Sequence, residues 1–114
     1  MTTSEEQPEP PVTEGRLREI LLLVVQNRIR ILWQHKIREK LAYKHGLSDK
    51  DVFDVYERWE VLKKVEFDNR SWRYTIEGEN SIGDWMRTSV ALYTDPEMIV
   101  VPITCYRCVR SKKK

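Results

Sequence analysis

The sequence predicts an α+β domain in which N-terminal helices pack on a mostly antiparallel sheet of four to five strands. Three observations carry this. Apolar residues recur at helical spacings from Leu17 to Trp59, and from Val61 onward the period changes to two. The breaks between the alternating runs are short, which joins neighbouring strands as a meander. A sheet of this kind buries one face, and the helices supply the cover.

Each element follows in order. Residues 1–13 (MTTSEEQPEPPVT) hold three prolines and little that is apolar, so a disordered acidic leader is expected there. The stretch Arg16 to Gln26 places Leu17, Ile20, Leu21, Val24 and Val25 on one helical face. Alternation in Arg28-Ile-Arg-Ile-Leu-Trp33 suggests a short strand, with one helix running through both segments as the alternative. Helix returns over 34–45, with Ile37 and Leu41 as an i, i+4 pair and Gly46 as a left-handed stop. Ser48 caps the next helix, where Asp49 and Asp51 favour the positive end of the dipole and Val52, Val55, Tyr56 and Trp59 form the stripe. Strands are then expected over Val61 to Phe67, Ser71 to Glu77, Met86 to Thr94 and Met98 to Arg107. Pro102 marks the last of them as an edge strand or a bulged one. A single domain over 14–110 and a basic tail at 111–114 complete the organisation.

Charge is unevenly spread. The net +2 divides into −4 over the first fourteen residues and +6 over the rest, with Arg107, Arg110, Lys112, Lys113 and Lys114 near the end. A basic body fits a polyanion-binding domain. The longest apolar run, Ile20 to Val25, is six residues, against roughly 20 for a membrane span. The polar, acidic start is wrong for a signal peptide, so a cytoplasmic protein is expected, with Cys105 and Cys108 reduced. The two cysteines lack a second ligand pair at zinc-binding spacing. No metal or other cofactor is expected.

Alternation sorts the strand faces. Trp72, Tyr74 and Ile76 share one face, and Ser71, Arg73 and Thr75 the other. In the last strand Ile99, Val101, Ile103 and Cys105 are expected on one face, with Val100, Pro102, Thr104 and Tyr106 opposite. Arg73, Thr104 and Tyr106 are expected on the open face.

The order strand, Trp33, helix, Lys44-His45-Gly46-Leu47-Ser48, helix, then a meander containing Trp72-Arg73-Tyr74, a Gly78 to Gly83 turn and a closing Ile103-Thr-Cys-Tyr-Arg107 resembles the BrnT family of ribonuclease toxins. These have a RelE-like fold within the barnase–EndoU–colicin–RelE group, and the likeness covers about residues 28 to 110. Gln34 and Leu41 depart from the family pattern, and the helix at 15–26 is additional. A related group of RelE-like domains, with a helix-borne histidine and a closing Ile-Thr-x-Tyr-like strand, would instead draw on His35 and on Thr104 to Tyr106.

The resemblance implies a toxin-like endoribonuclease of a toxin–antitoxin system. Metal-independent RNA cleavage needs a base for the ribose 2′-hydroxyl, cations for the phosphorane and an acid for the leaving 5′-oxygen. A histidine suits proton transfer, and an arginine fork suits phosphate. His45 is the expected acid or base, Arg73 the phosphate clamp, Lys44 an auxiliary cation, and Tyr106 the group completing the pocket. Arg107, Thr104 and Arg70 are the expected substrate-binding residues. RNA and an antitoxin-like protein are the expected partners, with a possible homodimer through residues 16–26. The alternatives are a catalytically silent interaction module of the same fold and a non-cleaving nucleic-acid-binding regulator.

Overall fold

The computed structural model describes residues 10–94 and 96–110, so the expected leader over residues 1–9 and the basic tail 111–114 lie outside the described residues. The order is α1 (Glu14–Val25), β1 (Arg30–Ile31), α2 (His35–Glu39) running on into a π-helical turn (Lys40–Lys44), α3 (Asp49–Arg58), then β2 (Val61–Asp68), β3 (Ser71–Glu79), β4 (Trp85–Tyr93) and β5 (Ile99–Arg107). The architecture is α+β, and no helix among the described residues is long and apolar enough to cross a membrane.

Local chemistry sets the helix ends. Thr13 caps α1 by accepting from the Arg16 N–H, and the Val12 N–H donates to the Tyr74 hydroxyl at 2.9 Å. Val12 and Thr13 therefore belong to the folded unit, which shortens the expected leader at its C-terminal end. At the other end Asn27 takes φ 64°, and the Arg28 and Asn27 N–H groups close onto the Leu23 and Val24 carbonyls, a Schellman stop built on asparagine. In α3 the Ser48 side chain and the Asp51 carboxylate cap each other's backbone, the reciprocal arrangement that satisfies two orphan donors.

The sheet order is β1-β5-β4-β3-β2, antiparallel except for the β1–β5 pair. Strand β1 is two residues long, shorter than the Arg28 to Trp33 run expected, because only Arg30 and Ile31 reach Ile99 and Val100. Beyond Val100 the outer side of β5 carries no strand among the described residues. The core lies between this sheet and α1 with α3: Leu17, Ile20, Leu21, Val24, Val52, Val55, Tyr56, Trp59, Tyr74, Ile76, Met86, Val90 and Val100 are all buried.

Two expectations are corrected here. The α1 stripe is buried within its own chain, so residues 16–26 do not offer Leu17, Ile20, Leu21 and Val24 to a second copy. In β5 the register steps from Val90↔Pro102 to Ser89↔Thr104, leaving Ile103 as an inserted bulge residue. One extra residue reverses the alternation, so Val100 and Cys105 share the core face although their numbers differ in parity. Proline tolerates that place because it has no N–H to leave unpaired. Thr104 and Tyr106 still stand on the face that carries Arg73, through the pairs Thr104↔Ser89 and Ser89↔Thr75.

Candidate active site at the free edge of the last strand

The π turn determines how the Lys44-His45 pair is presented. The His45 N–H donates to the Lys40 carbonyl at 3.1 Å and the Leu47 N–H to the Leu41 carbonyl at 2.7 Å, each spanning more residues than an α-helical bond. The widened turn keeps Leu41 in the core while Lys40, Lys44 and His45 turn toward β5. Gly46, at φ 65°, then reverses the chain in a conformation that costs a side-chain-bearing residue about 1 kcal/mol or more.

Across from this turn runs the unpaired edge of β5. Between them lies a cleft of about 110 Å³, lined by Ile37, Lys40, Leu41, Lys44, His45, Ile103, Thr104, Cys105 and Tyr106. The His45 and Tyr106 rings stand 6.1 Å apart, tilted by 39°. Among the described residues no acidic side chain lines the cleft, and Lys40 and Lys44 form no ion pair. The apolar floor of Ile37, Leu41 and Ile103 would strengthen the attraction of those ammonium groups for an anion by keeping water away.

The sequence-predicted residues divide into two sets. His45, Lys44, Thr104 and Tyr106 converge on the cleft. Arg107 stands beside them as a strut: its guanidinium donates to the His45 carbonyl at 2.7 Å and to Asp84 at 3.0 Å, tying the histidine loop to the end of the sheet. Arg73 lies apart. It pairs with Ala91 of β4 and is level with Val101, whereas Tyr106 pairs with Arg87. The separation is about 13 Å along the strands and roughly 10 Å across them. Arg73 instead faces Asp68 at 3.4 Å. Arg70 sits at the β2–β3 hairpin tip with φ 68°, following Asn69 at 54°. His35 points to solvent 3.0 Å from the Glu39 carboxylate, outside the cleft.

One cleft residue, Lys40, and one neighbour of the cleft, Arg87, escaped the sequence reading. Lys40 precedes Lys44 by one helical i, i+4 step, a spacing visible in the sequence. Arg87 has no such signal, since only the strand register brings it beside Tyr106. Its guanidinium donates to the buried Glu77 carboxylate at 2.7 Å, and this bond, followed by one with the Tyr106 hydroxyl, raises its pKa above the usual arginine value. Glu77 also accepts from the Trp85 indole at 2.8 Å. A paired, doubly hydrogen-bonded carboxylate is the form in which a buried charge is tolerated. Glu77 thus anchors Arg87, the cross-strand neighbour of Tyr106.

No protein-family model matches this chain, and no curated protein is significantly similar to it in sequence. Among the described residues no three His, Cys, Asp or Glu side chains gather as a metal site.

Proposed function

We propose that the protein is a toxin-like, metal-independent endoribonuclease of RelE/BrnT-like type, acting at the cleft on the free edge of β5. The supporting observation is an imidazole and a phenol, ring centroids 6.1 Å apart, across a small cleft lined, among the described residues, by two lysines and no acid. In this reading His45 takes the proton of the ribose 2′-hydroxyl, whose oxygen attacks the adjacent phosphorus. Lys40 and Lys44 stabilise the phosphorane charge. The Tyr106 hydroxyl, with Arg87 as its cross-strand neighbour, gives its proton to the departing 5′-oxygen, and the other product ends in a 2′,3′-cyclic phosphate. Arg73 has no part in the reacting centre in this reading, because the sheet holds it too far away.

The test is digestion of a synthetic single-stranded RNA by the purified chain in the presence of a chelator, with the 2′-deoxy analogue as control. Cyclic-phosphate products are expected from RNA and none from DNA. His45→Ala should lower the rate by roughly 10²–10⁴-fold. Arg73→Ala should change it by less than about threefold, since Arg73 lies beyond hydrogen-bond reach of the cleft. RNA binding without cleavage would replace this reading with a nucleic-acid-binding regulator. Neither binding nor cleavage would leave a silent interaction module.

A further inference from the structure

At the opposite side of the sheet from the cleft, β2 pairs, among the described residues, only with β3, which leaves its outer backbone edge open. Residues 63–68 are all exposed, including Val65 at 37 % and Phe67 at 45 %. Helix α3 packs over β3 and β4, and among the described residues 63–68 stay uncovered. The ladder with β3 slips by one residue at Lys63, so the regular open edge is residues 64–68, and with Val65 and Phe67 exposed on it this short edge is a template for another strand. Charges ordinarily blunt such an edge, and β2 carries Lys63, Lys64, Glu66 and Asp68. Their order, however, selects one partner.

We propose that β2 is a homotypic docking edge at which a second copy of this chain adds its own β2 antiparallel, centred on Val65. Two identical strands can join in this way only about a two-fold axis perpendicular to the sheet. That axis preserves the faces, and cross-strand neighbours share a face, so the axis must pass through a residue facing its own copy. Centring on Lys64 or on Glu66 opposes like charges directly. Centring on Val65 places Lys64 opposite Glu66 of the second copy, twice by symmetry. Lys64 and Glu66 already lie 3.2 Å apart within one strand, so the four charges alternate in sign around the axis. On the other face the two Val65 side chains meet. Phe67, held edge-on to Trp72 with centroids 5.2 Å apart, lies next to them and loses exposure. The joined sheet would carry ten strands, with both helix layers on the same side and both β5 clefts at its far margins.

Sedimentation of the full chain at low salt, from about 10 µM to about 1 mM, tests this, since a small interface of this kind forms a weak dimer. The dimer fraction should rise with concentration, and amide exchange at residues 63–67 should slow with it. Lys64→Glu and Glu66→Lys should each weaken association by roughly tenfold or more, because each turns two attractive pairs into repulsive ones. The double variant Lys64→Glu/Glu66→Lys should recover the dimer. A wild type that stays monomeric at about 1 mM, amide exchange at 63–67 that ignores concentration, or a double variant no better than the singles would each overturn the proposal.

Discussion

Gly78 stands where the chain cannot accept even a methyl group. It lies in β3 against the α3–β2 junction, and a Cβ built there would fall 2.6 Å from the Trp59 Cα and 3.2 Å from both the Arg58 carbonyl oxygen and the Trp59 nitrogen. All three atoms are backbone, so no rotamer change relieves the clash. The junction cannot easily retreat, because the Glu60 N–H donates to the Glu77 carbonyl at 2.8 Å and the Trp59 carbonyl accepts from Arg18 at 2.8 Å. The Arg18 guanidinium also lies 3.9 Å from the centroid of the Trp59 ring, on the α1 side. Gly78→Ala therefore forces β3 away from a fixed neighbour, at about 3 kcal/mol, the upper end of the overpacking range. Restricting the unfolded chain returns about 0.4–1 kcal/mol. The net loss of about 2 kcal/mol corresponds to roughly 10 °C in Tm for a domain of this size. Gly15→Ala is the control: nothing lies within 4 Å of a Cβ there, and the residue is in α1, so it should gain up to about 1 kcal/mol. Thermal and urea unfolding of both variants measures the difference. A Gly78→Ala protein as stable as wild type would refute the close approach and, with it, the placement of α3 against β3.

Ile20→Asp combined with Val24→Asp should unfold the chain rather than release a folded monomer, because both side chains are buried in the core and even truncation of one costs about 2–5 kcal/mol; a well-folded variant by circular dichroism would move α1 to an interface. Burial pushes the Cys105 thiol up to about 12, and the half-buried Cys108 thiol is raised mainly by burial and then by Glu77. Since the thiolate is the reactive form, Ellman's reagent at pH 8 should modify Cys108 far faster than Cys105, with denaturant making both react; two equally fast native thiols would contradict the burial of Cys105. For Asp54, burial alone would raise the carboxyl, but hydrogen bonds from the Ser81 backbone and hydroxyl, then from Lys50, outweigh it and hold the group below its ordinary value. A depressed carboxylate stabilises the fold above its unfolded value and loses that contribution as pH falls through the folded one. The stability gap between wild type and Asp54→Asn should therefore be steady near neutrality and shrink below about pH 4, and a gap unchanged down to pH 2 would show that the Ser81 contacts do not depend on charge.

The candidate site was partly legible. Lys44, His45 and Gly46 announced a helix end with a cation and an imidazole, and the closing strand announced Thr104 and Tyr106. Their meeting across one cleft depends on the π turn after Glu39 and on the bulge at Ile103, and neither has a sequence signal beyond the neighbouring Pro102. Arg73 shows the opposite limit. Alternation placed it correctly on the open face, yet said nothing of its level along β3, and register sets it beside Ala91 rather than Arg87. The π turn and the bulge re-aim side chains by inserting one residue, and an insertion leaves composition and most of the local pattern unchanged.

What the sequence by itself determined is the class and order of elements. Helical spacing before Trp59 and period-two alternation after Val61 are local properties, dictated by which side chains each element must turn inward. The caps at Ser48 and Gly46, and the hairpin break at Asn69 and Arg70, are equally local. Tertiary structure alone decided that α1 is covered within its own chain, that β1 joins β5 in parallel, and that Arg87 rather than Arg73 stands beside Tyr106. Each of those is a pairing between segments distant in the chain. Periodicity specifies the face a residue turns to its neighbours, while the identity of those neighbours is settled only when the sheet closes its register against the helices.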